Sequence, residues 1–216
     1  TTNAPQTTGD GIKMVIDIGG DLEDMECVQV HPTSLVQKSN PNAKTKFLAA
    51  EALRGVGGLL LNANGDRFCD ELGRRDYLSA KMQNDKAPFY LVLNSKAAND
   101  IIWHCKHYEQ RKLMYHCPNG DALAKEIGVS PSKLKATFDE YNINAKENKD
   151  KFGKKFFRNA PFEMSDSFYV AQVCPAVHYT MGGVKVTTNA EVLKNGKVIP
   201  GLFATGEILG GVHGKN

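Results

Sequence analysis

Pro200-Gly201-Leu202-Phe203-Ala204-Thr205-Gly206-Glu207-Ile208-Leu209-Gly210-Gly211 reads as a buried strand, residues 202–204, that runs into a glycine-rich turn. Nucleotide-binding α/β sheets present backbone N–H groups to a cofactor in this way, although the signal alone is weak. The residues before it extend the β character. Val184-Lys185-Val186 predicts a strand, and Glu191-Val192-Leu193 and Val198-Ile199 flank Asn195-Gly196, a strong hairpin turn. At the other end, Thr8-Gly9-Asp10-Gly11 opens a short helix through Ile12, Met14, Val15 and Ile18, and Gly19-Gly20 close it by accepting left-handed backbone.

The interior reads as a mixture of helices and strands, an α+β domain. Met25-Glu26-Cys27-Val28-Gln29-Val30 predicts a short strand that ends before His31-Pro32-Thr33, and residues 36–46 predict a polar loop. Residues 47–54, apolar and alanine-rich, predict a short helix that Gly55, Gly57 and Gly58 terminate. Leu59-Leu60-Leu61 predicts a buried strand, Asn64-Gly65 a turn, Arg67-Phe68 the return, residues 76–82 a helix and Phe89-Tyr90-Leu91-Val92-Leu93 a strand. A helix over residues 121–127 stops at Gly128; Ser130-Pro131 then caps another, whose apolar face is Leu134, Phe138 and Tyr141. Residues 146–158 are basic with interleaved phenylalanines, and the plainer reading is a solvated loop anchored by those rings rather than an anion-binding surface.

The 216 residues suffice for one large or two small cores. Hydrophobic residues at 41% and charged residues at 24% place the chain among ordinary globular proteins, and no apolar run is long enough to span a bilayer. A net charge of +3 argues for neither nucleic acid nor a membrane surface as partner. The first residues carry no signal-peptide pattern, and Thr1 in place of Met suggests a fragment or processed chain. Cys27, Cys69, Cys105, Cys117 and Cys174 are odd in number and lack a C-x-x-C pair. Reduced thiols in a reducing compartment are expected, with no disulfide framework and no metal site.

The chemistry-bearing candidates are polar residues in apolar or glycine-rich surroundings. His31 and His178 stand at such boundaries. Glu51 and Arg54 lie three apart, so that they share a helical face and can pair; a surface ion pair is the plainer account, but Ala49, Ala50, Leu53 and the following glycines suggest a crowded setting. Arg74-Arg75-Asp76 precedes a helix that Asp76 could cap. Two histidines, a Glu/Arg pair and further arginines suit an anionic substrate, because these side chains grip carboxylates through charge-assisted hydrogen bonds. No nucleophile elbow, P-loop or metal-ligand cluster is present.

Five stretches carry a specific resemblance: Val30-His31-Pro32-Thr33; the run from Ala49 through Glu51 and Arg54 to Gly58; Asn64-Gly65-Asp66-Arg67-Phe68 with Glu71-Leu72-Gly73-Arg74-Arg75-Asp76; Val177-His178-Tyr179-Thr180-Met181-Gly182-Gly183; and Gly201 through Glu207 to Gly210-Gly211-Val212-His213-Gly214. In order and spacing the chain resembles, over nearly its whole length, the flavoprotein of soluble FAD-dependent fumarate reductases, most of all the fungal and trypanosomatid type. The resemblance implies a substrate-capping domain at residues 30–165, flanked by pieces of an α/β FAD-binding domain at residues 1–29 and 166–216. It implies that His31, His178 and Glu51 bind fumarate or succinate and that Arg75 delivers the proton while flavin N5 delivers hydride. Glu51 and Arg54 would relay protons to Arg75, and Asp10, Tyr179 and Glu207 would lie against FAD. NADH or another reductant would act through other domains.

Four departures accompany the resemblance. The family's G-x-G-x-x-G region is not found in these residues, and its second substrate arginine would fall just past Asn216. Ala50 stands where relatives can carry threonine, and Tyr179 where some carry histidine. The chain by itself is therefore expected to be inactive and to hold no FAD tightly. An inert binding or structural fragment, or a relative acting on another dicarboxylate or 2-enoate, are the open alternatives. The compartment is not determined beyond a reducing one such as cytosol, mitochondrion or glycosome.

Overall fold

The computed structural model describes residues 1–216. In chain order the elements are helix α1 (Asp10–Asp17), strands β1 (Leu22–Glu23), β2 (Val28–Leu35) and β3 (Phe47–Leu48), helix α2 (Ala52–Gly55), strand β4 (Leu59–Leu61), helix α3 (Arg75–Gln83) and strand β5 (Phe89–Asn94). Helices α4 (Ser95–Asp100) and α5 (Ile102–Gln110), strand β6 (Tyr115–Cys117), and helices α6 (Gly120–Ile127) and α7 (Pro131–Glu147) follow. Strands β7 (Phe168–Thr180), β8 (Gly183–Val184), β9 (Glu191–Lys194) and β10 (Lys197–Phe203) and a 3₁₀ turn (Gly206–Ile208) complete the chain. The chain divides into two compact units, one of Thr1–His31 with Val177–Asn216 and one of Pro32–Ala176, against expected boundaries at 29/30 and 165/166. The mixture of helix and sheet is the α+β class expected.

The unit of Pro32–Ala176 is built on a sheet ordered β3-β2-β7-β5-β4, with β6 also paired to β7. Strands β4 and β5 bury apolar side chains on both faces because helices cover both. Phe89, Leu91 and Leu93 of β5 pack with Leu60, Leu78, Met82, Ala97, Cys105 and Tyr108 on one side. Val92 packs with Leu59, Leu61, Leu123, Ile127, Leu134, Phe138 and Tyr141 on the other. That double cover explains the unbroken run Leu59-Leu60-Leu61, all fully buried. Helix α7 follows the sequence signals closely. Ser130 Oγ accepts from the Lys133 N–H at 3.2 Å, Pro131 takes the first helical position, and Leu134, Phe138 and Tyr141 are buried one turn apart. Each such side chain contributes roughly 1.5–3 kcal/mol on burial. Helix α6 ends on Gly128 at φ 81°, the left-handed cap expected.

The other unit holds two ribbons, β1 with β8 and β9 with β10, around Val15, Val184 and Val192. Helix α1 and the hairpin at Asn195-Gly196 fall where expected, with Asn195 and Gly196 at φ 53° and 75°.

Four expectations need correction. The helix foreseen across residues 47–54 is split, because Leu48 pairs with Ser34 and the Ala49 N–H bonds the Thr33 carbonyl; only Ala52–Gly55 is helical. Strand pairing there overrides the helix propensity of alanine. The strand at 25–30 instead begins at Val28 and runs through His31-Pro32-Thr33; β3 reaches only Ser34 and Leu35, so on that side Pro32 is not asked for an N–H. Residues 202–204 do not form a buried strand: Phe203 is 63% exposed, since a two-stranded ribbon covers one face only. Nor is the 146–158 stretch wholly solvated. Its Lys154 is buried while Phe156 is exposed.

Candidate functional site

In the unit of Pro32–Ala176, α2 and the start of α3 bring Glu51, Arg54 and Arg75 together. Glu51 occupies the residue before α2, one turn from Arg54, and Arg75 is the first residue of α3. Gly57 turns the chain out of α2 at φ 103°, where a Cβ would lie 2.2 Å from the Arg158 carbonyl oxygen. The Glu51 carboxylate bridges two guanidinium groups. Oε1 accepts from Arg54 Nη2 at 3.1 Å, and Oε2 accepts from Arg75 Nη2 at 2.7 Å and Nε at 3.2 Å.

The three differ in their access to water. Arg54 is 2% exposed, Arg75 29% and Glu51 52% at the side chain. Arg54 Nη1 donates to the Glu71 carbonyl at 2.7 Å and the Gly73 carbonyl at 3.4 Å, while its Nε is buried without a hydrogen-bond partner. Burial pulls the Arg54 guanidinium below its ordinary pKa, and the Glu51 charge opposes that pull. The crowded setting inferred from sequence thus holds for Arg54 and not for Glu51. Arg74 and Asp76 pair at 3.2 Å, and Asp76 sits in the first turn of α3, bonded to the Tyr77 N–H, rather than at the cap.

In the unit of Thr1–His31 and Val177–Asn216, His31 is fully buried and its ring meets the His178 ring edge-on at 5.1 Å between centroids. His178 Nδ1 is hydrogen-bonded to Thr2 Oγ1 at 2.7 Å, and the Asn3 side-chain amide donates to the His178 carbonyl at 3.0 Å. Tyr179 follows, its ring 5.6 Å from that of His213; burial and the nearby Glu207 carboxylate both push its phenol up. Asp10 opens α1 and accepts from Thr8 Oγ1 at 2.8 Å, which, with Lys13, holds its carboxyl below the usual range. The first turn of α1 packs on the turn that carries Glu207: a Cβ at Gly11 would be 2.6 Å from Ile208 Cδ1.

Those residues can be tested against FAD. Asp10 and Glu207 are exposed carboxylates, acceptors suited to a cofactor's hydroxyl and N–H donors and unsuited to its anionic diphosphate. A Cβ on Gly183 would stand 2.2 Å from the Ile208 carbonyl oxygen and 2.7 Å from the Gly210 nitrogen, so the backbone of Ile208–Gly210 lies directly against it. Acceptors such as Asp10 and Glu207 could hold the hydroxyl and N–H groups of a cofactor.

Sequence reasoning overlooked Thr2 and Asn3 beside His178, and a buried cluster of Arg67, Glu71, Asp150 and Lys154. Thr2 and Asn3 gave no signal. Arg67 and Glu71 stood inside the stretches that carry the family resemblance, but neither had been given a role. Asp24, Glu26 and Cys27 bring ligand atoms within 4.8 Å of one another, with Lys215 beside Asp24 at 3.8 Å.

Residues 1–216 match the family described as FAD binding domain. The chain is 51% identical to fumarate reductase of Schizosaccharomyces pombe over 100% of its own length and 42% of that protein. It is 34% identical to fumarate reductase 1 of Saccharomyces cerevisiae, over 100% of the chain and 48% of the relative. Among solved structures it is similar to the open conformation of a flavocytochrome c3 fumarate reductase, with a TM-score of 0.73 and 32% identity, across 100% of this chain and 37% of that one. The chain spans less than half the length of these relatives.

Proposed function

We propose that this chain, which belongs to the FAD binding domain family over residues 1–216, forms part of a flavin-dependent oxidoreductase that reduces fumarate to succinate. The observation that carries the reading is the half-exposed Glu51 carboxylate held between Arg54 and Arg75, one oxygen to each. The 51% identity to a protein named fumarate reductase supports the choice of substrate.

In this reading Asp10, Tyr179 and Glu207 hold FAD, which when reduced supplies hydride to one alkene carbon. His31 and His178 hold the carboxylates of the substrate. Arg75 donates a proton to the other alkene carbon. A guanidinium ordinarily stays protonated, but a carbanion forming beside it is a far stronger base. Glu51 returns the proton to Arg75, and its exposure lets it exchange with water. Arg54, shielded from water and fixed on two carbonyl groups, aims Glu51. Cationic donors set in place beforehand stabilise the negative charge that builds on the substrate, which is where binding energy accelerates a reaction. The residues of Pro32–Ala176 supply the substrate-capping part in this reading.

The test is Arg75→Lys in the whole flavin-loaded oxidoreductase of which this chain is proposed to form part. Lysine keeps the charge and loses the planar fork. Loss of general acid catalysis should lower fumarate turnover by about 10²–10⁴-fold with flavin content unchanged. A variant that keeps more than about a tenth of normal turnover overturns the assignment.

A further inference from the structure

Four charged side chains of the unit of Pro32–Ala176 are buried outside the Glu51 arrangement. The Glu71 carboxylate is fully buried and is gripped by Arg67 Nε at 2.7 Å and Nη2 at 3.0 Å, and by Lys154 Nζ at 2.8 Å. Arg67 Nη1 also donates to Asp150 at 2.8 Å, and Asp150 accepts from the backbone N–H groups of Phe152 and Lys154 and from the Asn144 amide. The side chains of Glu71, Lys154 and Asp150 have no exposure, and that of Arg67 has 5%. Two cations face two anions, so the cluster is neutral as a whole. Buried ion pairs of this kind add little stability over well-packed apolar side chains, so stability is a weak reason for this one.

Geometry supplies a better reason. The same Glu71 whose carboxylate is clamped on one side offers its carbonyl on the other to Arg54 Nη1, at 2.7 Å. A continuous chain of contacts runs from Asp150 through Arg67, the Glu71 side chain, the Glu71 carbonyl and Arg54 to Glu51 and Arg75. Arg54 is shielded from water, so its aim depends on the carbonyls of Glu71 and Gly73. We propose that Glu71, held by Arg67 and Lys154, is a positioning residue for proton delivery, fixing the carbonyl that aims Arg54 and hence Glu51 at Arg75. The proposal rests on the role assigned above to Glu51 and Arg75.

In the whole flavin-loaded oxidoreductase, the test compares Glu71→Gln with the unmodified protein and with Leu134→Ala, a cavity variant in the core beneath α7. Small displacements in a catalytic arrangement cost up to about 10²-fold in rate. Glu71→Gln should therefore lower kcat for fumarate at least about tenfold, leave KM within about twofold, and speed amide hydrogen exchange over residues 71–75. Leu134→Ala should lower the melting temperature and leave kcat per folded molecule unchanged. If Glu71→Gln does not fold, Arg67→Lys, which keeps the charge and loses the two-pronged grip, should show the same split. A Glu71→Gln kcat within twofold of normal, or an equal loss of kcat in Leu134→Ala, overturns the positioning role alone. No fumarate turnover in the unmodified, flavin-loaded whole oxidoreductase overturns the reading of the site, and this proposal with it.

Discussion

Glu51→Gln separates chemistry from scaffolding, and the structure sets the size of both effects. The substitution removes a charge that meets Arg54 at 3.1 Å and Arg75 at 2.7 Å. Removing one partner of a fully buried pair costs about 3–5 kcal/mol. Glu51, however, is 52% exposed, and exposed pairs contribute only about 0–1 kcal/mol each. Arg54 also keeps its carbonyl acceptors on Glu71 and Gly73, and the glutamine oxygen can still accept from it. The expected loss is therefore about 1–2 kcal/mol, which for a body of this size lowers the melting temperature by roughly 2–8 °C. Chemistry should suffer far more, because an amide cannot take up and release the proton Arg75 needs; turnover should fall by about 10²–10⁴-fold. Thermal unfolding and fumarate turnover of the same preparation give both numbers. A clearly destabilised variant with normal turnover per folded molecule would refute the relay.

Acid stability tests the buried cluster. Burial alone would raise the Glu71 and Asp150 carboxyls, but Lys154 and Arg67 outweigh it at Glu71, and Arg67 with backbone N–H groups outweighs it at Asp150. With folded pKa values below the unfolded ones, this stability is present above about pH 4 and is lost as pH falls further, so helical circular dichroism should collapse there; an acid midpoint unmoved in Asp150→Asn contradicts the assignment. The thiols of Cys105 and Cys117 are each pushed up to about 11 by burial and that of Cys69 is raised further, so at pH 8 these three should resist iodoacetamide while half-buried Cys27 and Cys174 react first. Mass spectrometry reads the order, and equal labelling of all five counts against it. Gly183→Ala would press a methyl onto the Ile208 carbonyl at 2.2 Å and the Gly210 nitrogen at 2.7 Å. It should cost about 1–3 kcal/mol and reduce bound flavin, whereas unchanged melting and flavin content would show that the backbone there is free to move.

Local signals made the helical half of the larger unit legible. Gly128, Ser130 and Pro131 mark the end of α6 and the start of α7 by capping chemistry that depends on near neighbours only. The Glu51–Arg54 pair was likewise legible from its spacing of three. Contacts between distant residues were not. Arg75 reaches Glu51 across 24 positions, and only the family resemblance singled it out before the structure placed it there. Lys154 meets Glu71 across 83 positions and looked like one more charge in a basic stretch. Residues 47–54 misled because alanine favours a helix wherever pairing with a neighbouring strand does not intervene, and here Leu48 pairs with Ser34. Phe203 misled because an apolar strand implies burial only where a second layer covers it.

In the proposed reading, electrons pass from bound flavin to fumarate. The most direct test is to reduce the flavin of the purified whole oxidoreductase anaerobically, add fumarate, and follow the flavin spectrum while succinate is quantified. Reoxidation of the flavin with one succinate formed per flavin is the predicted result. A flavin that stays reduced in excess fumarate, yet reoxidises when oxygen is admitted, overturns fumarate as the electron acceptor.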